Sequence, residues 1–127
     1  MSIDVFLFDL DGTLVDSIPD LTRAINLLRE ELDLHAVSSD QVRSYVGDGV
    51  GLLLQRALPD EHVNPINRKR FMEIYTEHLT DETVIYPGIM NFLEINCDKP
   101  MAVVTNKPQH LADIIVDRLG LSPFFLS

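Results

Sequence analysis

The spacing of apolar residues changes several times along the chain. Residues 3–8 (Ile-Asp-Val-Phe-Leu-Phe) form a short, almost continuously apolar run of strand-favouring residues that ends at an Asp-Gly turn. A run apolar on both faces suits a strand inside a parallel sheet. From Leu21 the period becomes helical, through Ile25, Leu28 and Leu32. Ser17, with Asp20 three residues on, reads as the N-cap and capping box of that helix. A second helix is predicted from about Ser39, with Val42, Tyr45 and Val46 on one face and Gly47 as its stop. A third, nearly all apolar, runs from about Gly49 to Leu58. Asn64 is placed to cap a fourth, whose stripe is Phe71, Ile74, Tyr75 and His78. Four helices and no strand between residues 17 and 80 predict a small bundle.

Tyr86-Pro87-Gly88 breaks the chain, and the grammar then changes. A short helix is predicted over 89–96 and a buried-type strand over 101–105. Pro108 opens a helix that runs to Leu119, with Leu111, Ile114, Ile115 and Arg118 at helical offsets and Gly120 as its stop. Phe124-Phe125-Leu126 reads as the start of a third strand. Strand, helix, strand, helix, strand is the order of a parallel doubly wound sheet. The expected class is therefore α/β: a partial Rossmann-like core, residues 1–15 and 84–127, with a helical unit, residues 16–83, inserted after the first strand.

Composition narrows the function classes. With 127 residues, 46% of them hydrophobic, the chain can form one domain, or a small domain and part of another. Ten Lys and Arg against twenty Asp and Glu give a net charge of -10. That surface repels nucleic acid and anionic membranes, although a metal or a helix N-terminus can make one pocket locally positive. The start of the chain lacks the basic and long apolar segments of a signal peptide, and no apolar stretch is long enough to span a bilayer. A soluble, cytoplasmic protein is expected. The single cysteine, Cys97, has no internal disulfide partner, which suits a reducing compartment, and is expected to be a small buried apolar residue. His35, His62, His78 and His110 lie in different segments without metal-ligand spacing, so surface or partly buried structural roles are expected.

The densest chemistry lies at Asp9-Leu10-Asp11-Gly12-Thr13-Leu14-Val15-Asp16-Ser17. Asp9 and Asp11 stand two apart at the carboxyl end of a predicted strand, where open α/β sheets bind ligands. At that spacing an extended chain points both side chains one way, and paired carboxylates can divide acid and base work. Gly12 permits a sharp turn whose N–H groups can cradle phosphate oxygens. An Asp-x-Asp-Gly also occurs in calcium loops, but the EF-hand ligand spacing and its closing glutamate are absent here.

This segment resembles the first motif of the haloacid dehalogenase superfamily, an apolar strand followed by Asp-x-Asp-Gly-Thr/Val. Val103-Val104-Thr105-Asn106 is similar to its second motif, and the helical insert to its first type of cap domain. Asp16-Ser17, residues 43–49 and Thr105-Asn106-Lys107-Pro108 most resemble phosphoglycolate phosphatases. The resemblance implies a Mg²⁺-dependent phosphomonoesterase acting on a small phosphorylated metabolite. Asp9 would be the nucleophile, forming an aspartyl-phosphate, and Asp11 the general acid and base. Mg²⁺ would be held by Asp9 and by the backbone carbonyl of Asp11, and a phosphoryl oxygen by Thr105 and Asn106. Thr13 would orient Asp11 or its loop, and Asp16 and Ser17 would serve as hinge and N-cap. An acid at position 11 also speaks against dehalogenation.

Other signals are weaker. Gly47-Asp48-Gly49-Val50-Gly51 is a helix–helix turn or, by the same resemblance, a cap loop closing over the substrate. Arg43 is read as a solvated helix-face arginine rather than a carboxylate receptor. The superfamily's third and fourth motifs, a lysine and further acids, have no match by position, and Lys107 is only a speculative substitute. In the implied fold a later strand flanks the first; without it the first strand is an open apolar edge. A chain truncated before those motifs is therefore expected. The rival readings are a sugar-phosphate mutase of the same superfamily, and a catalytically incomplete remnant that binds metal, phosphate or a partner.

Overall fold

The computed structural model describes residues 5–125. Its elements run β1 (Phe6–Phe8), β2 (Val15–Asp16), α1 (Ile18–Glu31), α2 (Ser39–Tyr45), α3 (Val50–Ala57), α4 (Pro65–His78), β3 (Val84–Ile85), α5 (Ile89–Ile95), β4 (Met101–Val103) and α6 (Gln109–Arg118). Single 3₁₀ turns occur at Asp60–His62 and Ser122–Phe124.

The α/β class holds. β1 and β4 pair in parallel, with Phe6 opposite Met101 and Phe8 opposite Val103. The ladder continues at both ends, from Phe6 N–H to the Pro100 carbonyl (3.0 Å) and from Val104 N–H to Phe8 (2.8 Å). Among the described residues β1 has no second neighbour, so it is the open edge that the sequence led one to expect. Its faces are unequal: Leu7 is 67% exposed. Phe6 and Phe8 instead pack edge-on against Phe92 of α5, at 5.5 and 6.0 Å between ring centres. The expected third strand does not begin at Phe124. Residues 122–124 form a 3₁₀ turn, in which Pro123 has no N–H to give to a ladder, and Phe125 docks edge-on against Phe8. Leu126, like Ile3 and Asp4, lies outside the described residues.

Residues 18–78 form the helical unit, with α1 packed on α4 and on α2, and α2 on α3. Leu21, Ala24, Ile25 and Leu28 of α1 are buried, as are Phe71, Ile74 and Tyr75 of α4 and Val42, Leu53 and Leu54 between them. Local signals set most of the ends. Ser38 and Gln41 form a capping box on α2, and the Asn64 side chain accepts from Asn67 N–H at 2.8 Å, capping α4. α1 stops in a Schellman arrangement: Leu34 N–H reaches the Arg29 carbonyl and Asp33 N–H reaches Glu30, with Asp33 left-handed at φ 59°.

The start of α1 differs from expectation. Ser17 makes no cap bond, and Asp20 does not reach back to it. The buried Asp20 carboxylate instead accepts from Glu82 N–H (2.9 and 3.0 Å), Thr83 N–H (2.7 Å) and the Thr83 hydroxyl (2.6 Å). The two Thr83 donors are buried and have to be satisfied, which outweighs a cap that solvent could replace. Asp16 takes up the cap function, accepting from Ile18 N–H at 3.2 Å.

A second, unanticipated sheet lies beside this contact. β2 and β3 pair antiparallel, Val15 with Ile85 and Asp16 with Val84. Both crossings between the helical unit and the rest of the chain are thus bonded to each other. Cys97 is exposed rather than buried, because it falls in the turn between α5 and β4 and not on an apolar stripe. His35 and His110 are exposed, and His78 pairs with Asp81 at 2.7 Å, in line with the structural roles expected. No helix among the described residues is long and apolar enough to cross a membrane.

Candidate active site

The segment after β1 folds back on itself around Leu10. The N–H groups of Thr13, Leu14 and Val15 all point to the Leu10 carbonyl (3.0–3.3 Å), and Gly12 N–H reaches Val15 (2.9 Å). Gly12 sits at φ 84°, the left-handed region that a side chain disfavours. Leu10 and Leu14 are fully buried and pin the turn. Asp9 and Asp11, on either side of Leu10, line one cavity.

The two carboxylates have different surroundings. Asp9 is exposed, and its Oδ1 accepts Leu10 N–H at 2.7 Å. The Asp11 side chain is 12% exposed and held from two sides. Ser17 Oγ donates to its Oδ1 at 2.5 Å, and Lys107 Nζ lies 3.3 Å from its Oδ2. Ser17, read from sequence as a helix cap, is therefore an Asp11 partner. Thr13 is exposed and supplies none of these bonds.

The opposite wall comes from the loop after β4. Thr105 Oγ1 accepts Lys107 N–H at 3.1 Å, closing a tight turn. Asn106 donates from Nδ2 to the Gly47 carbonyl at 2.9 Å, joining this loop to the one between α2 and α3. Lys107, only 5% exposed, donates from Nζ to the Tyr75 hydroxyl at 2.6 Å and lies 4.5 Å from the centre of that ring. Asp9, Asp11, Thr105 and Asn106 thus face one cavity of about 40 Å³, partly roofed by Val46, Gly47, Val50 and Leu53. That is room for roughly three waters, or one compact oxyanion. Arg43 is exposed and stands outside the lining.

Burial shifts both members of the Lys107–Tyr75 pair. Desolvation pushes the Lys107 ammonium below the ordinary lysine range, and the charge of Asp11 and a hydrogen bond to it offset part of that. The Tyr75 hydroxyl is pushed well above the ordinary tyrosine range, first by burial and then by the charges of Asp11 and Asp20. The sequence singled out Lys107 only as a speculative substitute for a missing lysine, and Tyr75 only as part of a core stripe. Tyr75 sits on an apolar stripe, where its one distinguishing mark is the polar tip that a buried tyrosine has to satisfy.

The donors present suit a hard cation in part. The Asp9 carboxylate is exposed, and the hydrogen bonds of the turn go to the carbonyls of Leu10 and Val15 rather than to that of Asp11. Two oxygen ligands match Mg²⁺, which keeps several waters of its own. Among the described residues no group of three or more His, Cys, Asp or Glu gathers at one point, so the shell these residues offer is partial.

The comparisons with known proteins agree with one another. The haloacid dehalogenase-like hydrolase model matches residues 6–126. The phosphoglycolate phosphatase of Chromobacterium violaceum is 41% identical over 132 residues, covering 97% of this chain and 60% of that protein. The one from Caulobacter vibrioides is 36% identical over 126 residues, covering 93% and 53%. A crystal structure of a predicted phosphoglycolate phosphatase from Haemophilus somnus 129PT superimposes with a TM-score of 0.89 at 31% identity, covering 97% of this chain and 60% of that one. The chain therefore spans 60% or less of the length of these relatives. By its family match, its sequence relatives and its fold, the chain belongs to the haloacid dehalogenase-like hydrolases.

Proposed function

We propose that this chain carries the nucleophile, the acid/base residue and part of the phosphate cradle of a phosphomonoester hydrolase of phosphoglycolate phosphatase type. The observation that carries the reading is the convergence of Asp9, Asp11, Thr105 and Asn106 on one small cavity. Residues 16–83 act as its cap and residues 1–15 and 84–127 as its core, in a cytoplasmic setting compatible with an exposed, unpaired Cys97. The substrate is a small phosphorylated metabolite, whose phosphoryl group fits a cavity of about 40 Å³.

Asp9 attacks phosphorus in line; the bond to the leaving alcohol oxygen breaks, and an aspartyl-phosphate forms. Asp11 gives its proton to the departing oxygen, then takes one from the water that attacks the intermediate and frees Asp9. Ser17 and Lys107 fix the direction of Asp11 during both transfers. The Thr105 hydroxyl and the Asn106 backbone hold a phosphoryl oxygen. The Asp9 carboxylate and the Asp11 carbonyl would hold Mg²⁺, which would supply positive charge to offset the repulsion between the anionic nucleophile and the phosphate.

The test is turnover of phosphoglycolate and of p-nitrophenyl phosphate with Mg²⁺ by the 127-residue chain. Asp9→Asn is expected to abolish both. Asp11→Asn should slow steady-state turnover of both, since the second step loses its base. In single-turnover release of the alcohol it should slow phosphoglycolate by about 10²–10⁴-fold and p-nitrophenyl phosphate far less, because only the alkoxide needs a proton to leave. Turnover that survives Asp9→Asn would sink the claim. None by the 127-residue chain would show that it is not an enzyme on its own, and Asp9-dependent turnover by a longer chain would leave the reading intact. Return of the phosphoryl group to a sugar hydroxyl, rather than release of phosphate, would identify a mutase.

A further inference from the structure

Lys107 is the one cation among the residues that line the cavity, and its ammonium is committed on two sides. One N–H goes to the Tyr75 hydroxyl at 2.6 Å, and the Asp11 carboxylate lies 3.3 Å away. An ammonium has three N–H groups, so one remains. Tyr75 comes from the other side of the cavity, on α4 of the helical unit. Its ring is stacked on Phe71 at 5.7 Å and is 1% exposed, so its hydroxyl is a fixed point. A phosphoryl group entering here meets two carboxylates, and burying its charge without a cationic partner is costly.

We propose that Tyr75 is a positioning residue that anchors the Lys107 ammonium from across the cavity, so that the remaining N–H of Lys107 meets a phosphoryl oxygen of the ligand. The inference rests on the phosphatase reading of the same site and adds to it a cation supplied within this chain, whose place depends on the helical unit. The lysine's place in the cavity is then set by closure. With α4 packed against the core, the flexible four-carbon stem is held in one geometry. With α4 displaced, the ammonium loses its anchor and the pocket loses affinity for phosphate.

The test is calorimetric binding of inorganic phosphate, with Mg²⁺ present, to the 127-residue chain and to Tyr75→Phe, Lys107→Met and the double variant. Tyr75→Phe keeps the stacked ring and removes only the hydroxyl, and circular dichroism and thermal melts check that the fold is retained. It should weaken phosphate binding about 5-fold, the size of one hydrogen bond. Lys107→Met should weaken it by more than 10-fold, and the double variant no further than Lys107→Met alone, because the tyrosine acts through the lysine. Glycolate, which has a carboxylate and no phosphate, should bind equally to wild type and Tyr75→Phe. Three results would overturn the proposal: phosphate affinity unchanged in Tyr75→Phe, losses that multiply in the double variant, or no phosphate binding by the wild type. Weakened glycolate binding with phosphate unaffected would overturn it as well. The two proposals fail separately: turnover insensitive to Asp9→Asn removes the phosphatase reading, whereas the phosphate titrations decide the Tyr75–Lys107 pair on their own.

Discussion

Asn106 and Gly47 are 59 residues apart in the chain and joined at 2.9 Å, side-chain amide to backbone carbonyl. The bond crosses from the core loop that carries Thr105 to the loop between α2 and α3. Beside this bond Gly49, at φ 91° and ψ 170°, occupies backbone space that only glycine enters readily.

Removing either partner should loosen the same loop. Asn106→Ala loses the tether, and Gly49→Ala forces strain of about 1–3 kcal/mol into the loop. Both variants are expected to exchange the amide hydrogens of residues 47–50 faster than wild type. Unchanged exchange in both would show that the loop is held by other contacts.

Asp20 should be among the residues most costly to replace. In Asp20→Ala, the buried N–H and hydroxyl of Thr83 lose their acceptor, as does the part-buried N–H of Glu82. A loss of about 3 kcal/mol in urea unfolding is expected. Asp20→Asn keeps one acceptor oxygen and should lose about half as much. A change below about 0.5 kcal/mol in Asp20→Ala would mean that water replaces the carboxylate.

Tyr75 gives an alkaline signature. Burial, reinforced by the charges of Asp11 and Asp20, raises its ionisation in the folded state. A raised value means that this hydroxyl stabilises the fold fully below the ordinary tyrosine value of about 10, and that the contribution is lost as pH climbs through the folded value. In a 295 nm titration one of the three tyrosines should lag, and Tyr75→Phe should delete that step.

The pair between Arg70 and Glu31 ties α4 to α1 in two-pronged geometry, with contacts of 2.8 and 2.9 Å. The hydrogen bond from Arg70 holds the Glu31 carboxyl below the ordinary glutamate range, against a small opposing effect of desolvation. A lowered value stabilises above the ordinary glutamate pKa of about 4.3 and is lost as pH falls through the folded value. Glu31→Gln should therefore flatten the acid limb of a stability–pH curve, and added salt should mute the difference because both groups are exposed. An acid limb unchanged by Glu31→Gln would show that the pair contributes nothing.

How much of this was readable in advance depends on the distance over which each residue's environment is decided. The Asn64 cap, the α4 stripe and the turn after β1 are set by residues a few positions apart, and the sequence displays them. Asp20 looked like a local cap because a capping box is also a three-residue pattern; its partners lie more than 60 residues away, where no local rule reaches. Tyr75 and Lys107 are 32 residues apart and fell to the core stripe and to an afterthought. Phe124 had the composition of a strand, but a proline beside it and a neighbouring aromatic surface set its geometry. In the cavity, the four residues on contiguous motifs were visible, and so was Lys107 as a speculative substitute, but its bond to Tyr75 was not.

The pairing of Val15 with Ile85 and of Asp16 with Val84 gives residues 17–83 a simple description from the standpoint of the core. They are the loop of a β-hairpin, enlarged from the usual few residues to a bundle of four helices. The loop leaves and returns at adjacent points, so its size adds nothing to the distance its ends must span, and the Asn106–Gly47 and Lys107–Tyr75 bonds tie its far side back to the loop after β4. Val15, six residues beyond Asp9, is both the end of the turn that carries the two carboxylates and the partner of Ile85, so that turn is continuous with the point where the four helices leave and return.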